Sequence, residues 1–298
     1  MAPPRNQIEV AIAVVRAPNG TLLMAERPAG KRGAGFWEFP GGKIERGETA
    51  AAAAVRELDE ELGVQATTAR PLRVYTHDFP SARIRLHPFL IDQWRGSPSS
   101  REGQRFAWVD PADPSGGGPL LASHARLYRV MSLPRRLVRL TAAHQISQAI
   151  LREAARHGFT GFMLDAATLP PGQQVLLARR VTGLLPARGL LMLRGTPQAA
   201  AIAHAYAVVA TPAEATGTGA VAPLFGVACA TLSDYHRAAI EADFAVLEQA
   251  VPARQETGDR NTMPIYAPPG GSDATGQYIL VDIDALLGRE LAGAPVAA

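Results

Sequence analysis

Cysteine is nearly absent from this 298-residue chain, which holds a single one, Cys229. An intrachain disulfide is thereby excluded, as is a zinc cluster built on several thiolates, and the composition suits a reducing cytoplasm. Within the apolar run Gly226-Val227-Ala228-Cys229 that thiol reads as a small core residue, not as a nucleophile. Charge is also sparse, at 19 % of residues against 47 % apolar. This balance argues against wholesale disorder and leaves enough apolar surface for two cores. Long apolar runs are missing too. The longest stretch, residues 199–210, contains His204 and is too short to span a bilayer. No signal peptide is read either, because the run Ile8–Val15 follows one arginine and lacks a small-residue cleavage site behind it. A soluble, cytoplasmic protein with no membrane partner is the expectation.

Charge of one sign is not concentrated anywhere. The net charge is +3; residues 1–133 carry 17 Lys and Arg against 14 Asp and Glu, and residues 134–298 carry 13 against 13. No basic run is interleaved with aromatics, so direct nucleic-acid binding is not expected. The small surplus in the first half is what a small polyphosphate ligand needs. The histidines at 77, 87, 124, 144, 157, 204 and 236 form no ligand-spaced pair, and none is assigned a metal.

What is present divides the chain into two α/β domains, residues 1–133 and 134–298, with the boundary at Ser132-Leu133-Pro134. In the first half, Ile8–Arg16 and Thr21–Arg27 are β-leaning runs separated by the hairpin-type turn Pro18-Asn19-Gly20. Glycines 30, 33 and 35 predict a flexible loop. Residues 49–62, rich in Ala, Glu and Leu, predict a helix that Gly63 stops. Further strands are expected over residues 72–79, 83–94 and 106–109, and a closing helix over 124–131. In the second half, short apolar runs alternate with Ala-rich helical stretches: strands near 137–141, 161–165, 190–193, 205–209, 225–229, 244–247, 264–267 and 278–281. Repeating β-α units predict a parallel sheet of about seven strands or an incomplete barrel.

The chemistry is concentrated in one segment. From Gly42 the chain runs Gly-Lys-Ile-Glu-Arg-Gly-Glu-Thr-Ala-Ala-Ala-Ala-Ala-Val-Arg-Glu-Leu-Asp-Glu-Glu-Leu-Gly-Val. At ~100° per residue, Glu57, Glu60 and Glu61 share one helix face, while Ala51, Val55, Leu58 and Leu62 share another that faces the core. Three carboxylates on one face repel one another, and a hard cation such as Mg2+ relieves the repulsion because it prefers oxygen ligands and bridges to phosphates. Ala50 and Ala53 beside that face leave room for a phosphate chain, and Gly41-Gly42 lets backbone approach the metal. Two of these glutamates alone would read as a solvated surface.

The whole segment resembles the box of the Nudix hydrolases at every fixed position: Gly42, Glu48, Arg56, Glu57, Leu58, Glu60, Glu61, Gly63 and Val64. Phe36-Trp37-Glu38-Phe39-Pro40-Gly41-Gly42-Lys43-Ile44-Glu45 is similar, more narrowly, to the MutT branch, as are Arg27, Phe79-Pro80, Trp94-Arg95-Gly96, Glu102-Gly103-Gln104 and Trp108. The resemblance implies a sandwich of helices around a mixed sheet. It also implies Mg2+- or Mn2+-dependent attack of water on phosphorus in an oxidised guanine nucleoside triphosphate. The products would be a monophosphate and pyrophosphate, chemistry that cleans the nucleotide pool and supports DNA repair. It assigns Glu60 and Glu61 to the metal, with the Gly41 carbonyl and Glu102 in support. Glu57 is either a ligand or the base, and Arg56 orients a carboxylate. Arg27, Lys43, Phe79 and the segment Glu38-Phe39-Pro40-Gly41 are assigned to the substrate. Two departures stand out. Ser123 falls where the branch has a base-reading asparagine, and Ser81-Ala82-Arg83 displaces an arginine that often follows the Phe-Pro pair.

The second half resembles a thiamine-phosphate-synthase-like barrel that is fused to such domains. Leu137–Thr141, Phe162–Leu164 and Asp243–Leu247 stand at its strand positions, and Pro264–Ala267 with Gly270-Gly271 at its phosphate-binding turn. Where that synthase carries polar residues this chain has Leu164-Asp165-Ala166 and Arg194-Gly195, so a noncatalytic packing or partner-binding domain is expected. Two other functional readings are a nucleotide-sensing regulator, opposed by the intact carboxylates, and a bifunctional enzyme, opposed by the lost polar residues.

Overall fold

A computed structural model describes residues 6–80, 82–113, 117–210, 224–229, 242–247, 265–266, 279–283 and 285–286. The chain forms two compact units that divide between Ser132 and Leu133. Among the described residues, no helix is long and apolar enough to cross a membrane.

The first unit follows the order β1 (Asn6–Val15), β2 (Leu22–Glu26), β3 (Trp37–Glu38), β4 (Gly41–Lys43), α1 (Ala50–Leu62), β5 (Gln65–Ala66), β6 (Arg70–Pro71), β7 (Tyr75–Asp78), β8 (Ala82–Ile91), β9 (Trp94–Arg95), β10 (Phe106–Val109) and α2 (Ala122–Met131). Its main sheet is mixed. β1 lies between an antiparallel β4 and a parallel β8, and β6 and β7 both join β8 antiparallel. A second antiparallel sheet has the order β10-β2-β3, and β5 pairs with β9.

The strand period of two gives β1 two separate jobs. Ala11, Ala13 and Val15 point to the side that packs with Ala53, Ala54, Leu58 and Leu62 of α1, joined there by Phe89 and Ile91 of β8. Ile8, Val10 and Ile12 face the other way, beside Ile84 and Leu86 of β8, and line a cavity. The register places Ile8 opposite Ile84 and Val10 opposite Leu86.

Helix α1 forms where its caps predict. The Thr49 hydroxyl accepts from the Ala52 amide at 3.2 Å, and Gly63, in left-handed backbone at φ +67°, donates its N–H to the Asp59 carbonyl. The buried face differs from the expected one in detail. Ala53 and Ala54 join Leu58 and Leu62 as the buried residues of the helix, and Ala50 packs against the same cluster. Ala53 is buried in helix–sheet packing, Ala50 is half-buried against the same cluster, and neither lines the cavity.

Three other expectations change. The two runs flanking Pro18-Asn19-Gly20 do not form an extended hairpin: one antiparallel bridge joins Arg16 to Leu22, after which β1 and β2 enter different sheets. The glycine-rich segment is followed by two short strands, β3 and β4, that the sequence did not announce. Helix α2 begins at Ala122, two residues early, so that Ser123 and His124 lie in its first turn.

The second unit continues with β11 (Arg136–Thr141), α3 (Gln148–Arg156), β12 (Gly161–Asp165), α4 (Pro171–Leu184), β13 (Leu190–Arg194), α5 (Pro197–Ile202), β14 (Ala207–Ala210), β15 (Leu224–Cys229), β16 (Phe244–Leu247), β17 (Ile265–Tyr266) and β18 (Ile279–Asp282). All eight strands lie in one sheet in the order β17-β16-β15-β14-β13-β12-β11-β18, parallel throughout. All eight apolar runs of the sequence thus enter the sheet, which the expectation had put at about seven strands, and the last of them pairs with the first. Its core joins Val138, Leu140, Phe162, Leu164, Leu191 and Leu193 from the strands to Leu151, Ala154, Ala178 and Val181 from the helices. The segment 230–241, between β15 and β16, and the turn at Gly270-Gly271 lie outside the described residues.

Candidate active site

The cavity in the first unit has a volume of about 680 Å³. One wall is the apolar face of β1 and β8 just described. Phe36 and Phe79 add aromatic surface, and Glu38, Gly41, Gly42, Glu57 and Glu61 bring polar groups to the same space. Arg27, Lys31, Arg32 and Lys43 supply positive charge, and Leu121–His124 close it from the start of α2. An apolar slot, several cations and a set of carboxylates thus share one enclosure.

The carboxylates are held by the strand–helix junction. Gly41 sits at φ +154°, and a Cβ there would lie 2.2 Å from the Ala11 carbonyl oxygen. Only glycine allows β4 to approach β1 this closely. At Gly42 the obstacle is different, since an added Cβ would lie 2.3 Å from the Glu57 carboxyl group. The Gly41 N–H donates to Glu61 Oε2 at 3.3 Å. Burial, followed by the negative charges of Glu38, Glu102 and Glu57, pushes the Glu61 carboxyl up to about 8. Burial also raises Glu38, although Arg27 opposes the shift through contacts of 2.7 and 2.8 Å to its two carboxylate oxygens.

Arg56 gathers the remaining acids. It donates from Nε and Nη2 to Glu48 at 2.9 and 3.0 Å, and from Nη1 to Glu57 and Glu60, both at 2.9 Å. These contacts, led by Glu48, hold its own proton more tightly than usual. The guanidinium thus engages Glu57 and Glu60, and among the described residues no group of three or more acidic, histidine or cysteine side chains converges as a ready cation nest. The donor chemistry nevertheless fits a hard dication. All the groups are oxygen donors, and burial together with the neighbouring carboxylates favours the protonated form of Glu61, which a bound dication would reverse.

Glu102 lies outside the cavity lining, on a loop where its carboxylate meets Lys31 Nζ at 3.0 Å. Buried Gln104 anchors that loop. Its amide accepts from Ser100 Oγ at 2.8 Å and the Glu102 N–H at 3.0 Å, and donates to the Glu61 carbonyl at 2.9 Å. Phe39 and Pro40 also stand behind the site. The Phe39 ring is fully buried near His124 and Tyr128, and the Pro40 carbonyl accepts from the Ala13 N–H at 2.9 Å. Phe79 does line the cavity, with its ring edge-on to His77 at 4.6 Å and the Arg32 guanidinium 5.7 Å above it. Ser123 lines it as well, 3.2 Å from His124 Nδ1. Arg83 is taken by Asp78 at 2.7 and 3.0 Å, and Ser81 lies outside the described residues. Sequence reasoning missed Lys31, Arg32, Phe36 and His124. The available signal was the adjacency of His124 to Ser123, which a search for metal-spaced histidine pairs passes over.

The NUDIX domain family matches residues 6–131. The 8-oxo-dGTP diphosphatase of Escherichia coli K12 is 35 % identical over 127 residues, which are 41 % of this chain and 98 % of that protein. The chain belongs to the Nudix family. Two further Nudix relatives frame its diversity. An 8-oxo-dGTP diphosphatase of Proteus vulgaris is 36 % identical over 99 residues, or 33 % of this chain and 88 % of that one. The CTP pyrophosphohydrolase of Escherichia coli K12 is 37 % identical over 106 residues, or 36 % of this chain and 78 % of that one. The chain is a Nudix pyrophosphohydrolase, and Nudix hydrolases generally use divalent metals such as Mg2+.

Proposed function

We propose that residues 1–133 hydrolyse a purine nucleoside triphosphate in the presence of Mg2+ or Mn2+, with 8-oxo-dGTP preferred, to the monophosphate and pyrophosphate. The observation that carries the reading is that Glu57 and Glu61 share one cavity with an apolar, aromatic-edged wall. Glu60 and Glu61 would hold the metal, with Glu102 and the Gly41 carbonyl in support. The bound cation would offset the repulsion among the acids and polarise the phosphoryl oxygens. Glu57, kept against Gly42, is a further ligand or takes the proton from water. Arg56 orients Glu57 and Glu60. Arg27, Lys31, Arg32 and Lys43 offset phosphate charge, while Phe79 offers a stacking face. Phe39 and Pro40 act through the backbone segment they stiffen.

Residues 134–298 form, in this reading, an incomplete thiamine-phosphate-synthase-like barrel without synthase activity. Two facts support it. The strand order runs through eight parallel strands with the last beside the first, and Asp165 and Arg194, which stand where synthase polar residues belong, meet each other at 3.0 Å. Product analysis across nucleoside di- and triphosphates with Mg2+ tests the whole proposal. Release of pyrophosphate from 8-oxo-dGTP ahead of dGTP and CTP is expected. Preference for a sugar-linked diphosphate would overturn the substrate class.

A further inference from the structure

His124 is 3 % exposed, lines the cavity, and has its Nε2 buried with no hydrogen-bond partner. A ring nitrogen in that condition is uncommon in a folded protein, because burial removes water without returning another partner. Its other nitrogen is engaged, since Nδ1 lies 3.2 Å from Ser123 Oγ. Burial, then the positive charges of Arg27 and His77, hold the imidazole down at about 3, so it is neutral at any working pH. A neutral imidazole has one donor and one acceptor nitrogen. If the Ser123 hydroxyl donates to Nδ1, Nε2 carries the proton; if the hydroxyl accepts, Nε2 is bare.

We propose that His124, not Ser123, is the group of α2 that reads the edge of the bound base, with the Ser123 hydroxyl engaging its Nδ1 as donor or acceptor. This rests on the nucleotide reading of the same cavity. Ser123 lines the same space, but its hydroxyl is turned to the ring. The reader is therefore the ring nitrogen that lacks a partner, and a ligand edge entering the cavity supplies that partner. The specificity that follows differs from that of an amide. An amide shows a donor and an acceptor side by side and matches one pattern on a base. The Ser123–His124 couple shows one group at a time, donor or acceptor, according to the base it meets. Both a guanine-type edge and a cytosine-type edge are then accepted, and the ligand class is a nucleotide of either kind.

Calorimetry with the full chain tests this, using 8-oxo-dGMP, CMP and base-free inorganic pyrophosphate, each with Mg2+. His124→Phe keeps a ring but removes both nitrogens, and should weaken 8-oxo-dGMP and CMP tenfold or more while pyrophosphate stays within twofold. His124→Gln, whose amide reaches the place of Nε2, should recover both nucleotides to within about threefold. Unchanged nucleotide binding in His124→Phe overturns the proposal. So does an equal loss of pyrophosphate, or a wild type that binds neither nucleotide. If the variants misfold by circular dichroism, the wild-type imidazole 15N spectrum decides. The Nε2 signal of the histidine that stays neutral at pH 5 should move when either monophosphate is added, and a stationary signal overturns the assignment. A wild type that binds both monophosphates but hydrolyses neither triphosphate overturns the substrate reading alone.

Discussion

The two units are both α/β, yet they differ in how charge is balanced. In the second, polar side chains on neighbouring strands meet each other: Asp165 of β12 with Arg194 of β13 at 3.0 Å, and Arg139 of β11 with Asp282 of β18 at 3.5 Å. In the first, Glu38, Glu57 and Glu102 each meet a cation, yet their negative charges still act with burial to push the Glu61 carboxyl up to about 8. Paired charges stabilise a site but leave little for a ligand to do. Crowded charges do the reverse, and so mark where chemistry is expected. Among the described residues, the comparison marks the first unit as the place where crowded acids await a ligand.

The sharpest way to break that contrast is at α1. Glu60→Gln and Glu61→Gln should each lower turnover more than about 100-fold with the circular dichroism spectrum retained, since an amide oxygen is a far poorer ligand for a hard cation. Retention of more than a few per cent of activity in both variants would remove the metal assignment.

The adjacent glycines should separate catalysis from stability. Gly42→Ala meets only the movable end of the Glu57 side chain. It should lower kcat/KM about tenfold or more, with Tm changed by no more than about 2 °C. Gly41→Ala meets the Ala11 backbone instead and should destabilise the fold by about 1–3 kcal/mol. Equal melting temperatures for the two variants would contradict this geometry.

Glu61 also predicts an effect of pH on the metal-free protein. Its folded-state value lies near 8 against an ordinary 4.5. Folding therefore favours the protonated form. This contribution is fully present below about pH 4.5 and is lost as pH rises through 8, by on the order of a few kcal/mol. In chelator, Tm should fall between pH 5 and 8.5 more steeply for wild type than for Glu61→Gln. Parallel curves would count against the shift. The smallest effect belongs to the second unit. Asp165→Asn or Arg194→Ala should leave nucleotide turnover within about twofold, and the chain should not rescue a thiamine-requiring strain. Rescue would contradict the noncatalytic assignment.

Sequence revealed what is written locally. Helix α1 was legible to within a residue because Thr49, Gly63 and the apolar spacing all act over a few positions. The eight strand segments of the second unit were legible as short apolar runs between helical stretches. Pairing was not, because alternation marks a strand without naming its neighbour. Nothing in residues 6–15 announces a ten-residue parallel partner at 82–91. Strands β3 and β4 were hidden because Pro40, Gly41 and Gly42 are poor strand formers held in place by tertiary contacts. At the site, the carboxylates were legible from helical spacing. Lys31, Arg32, Phe36 and His124 were not, since only the folded chain brings the loop, the sheet and α2 to one cavity.

Strand β1 has a consequence for how such an enzyme can diversify. Its Ile8, Val10 and Ile12 face the cavity, and its Ala11, Ala13 and Val15 face the helix that bears the carboxylates. The same division continues on β8, where Ile84 and Leu86 face one side and Phe89 and Ile91 the other. Variation confined to residues 8, 10, 12, 84 and 86 therefore remodels the ligand slot without disturbing the packing that aims the acids. Selection for a new substrate and selection for an intact reaction centre act on alternate letters of the same two strands, and neither has to wait for the other.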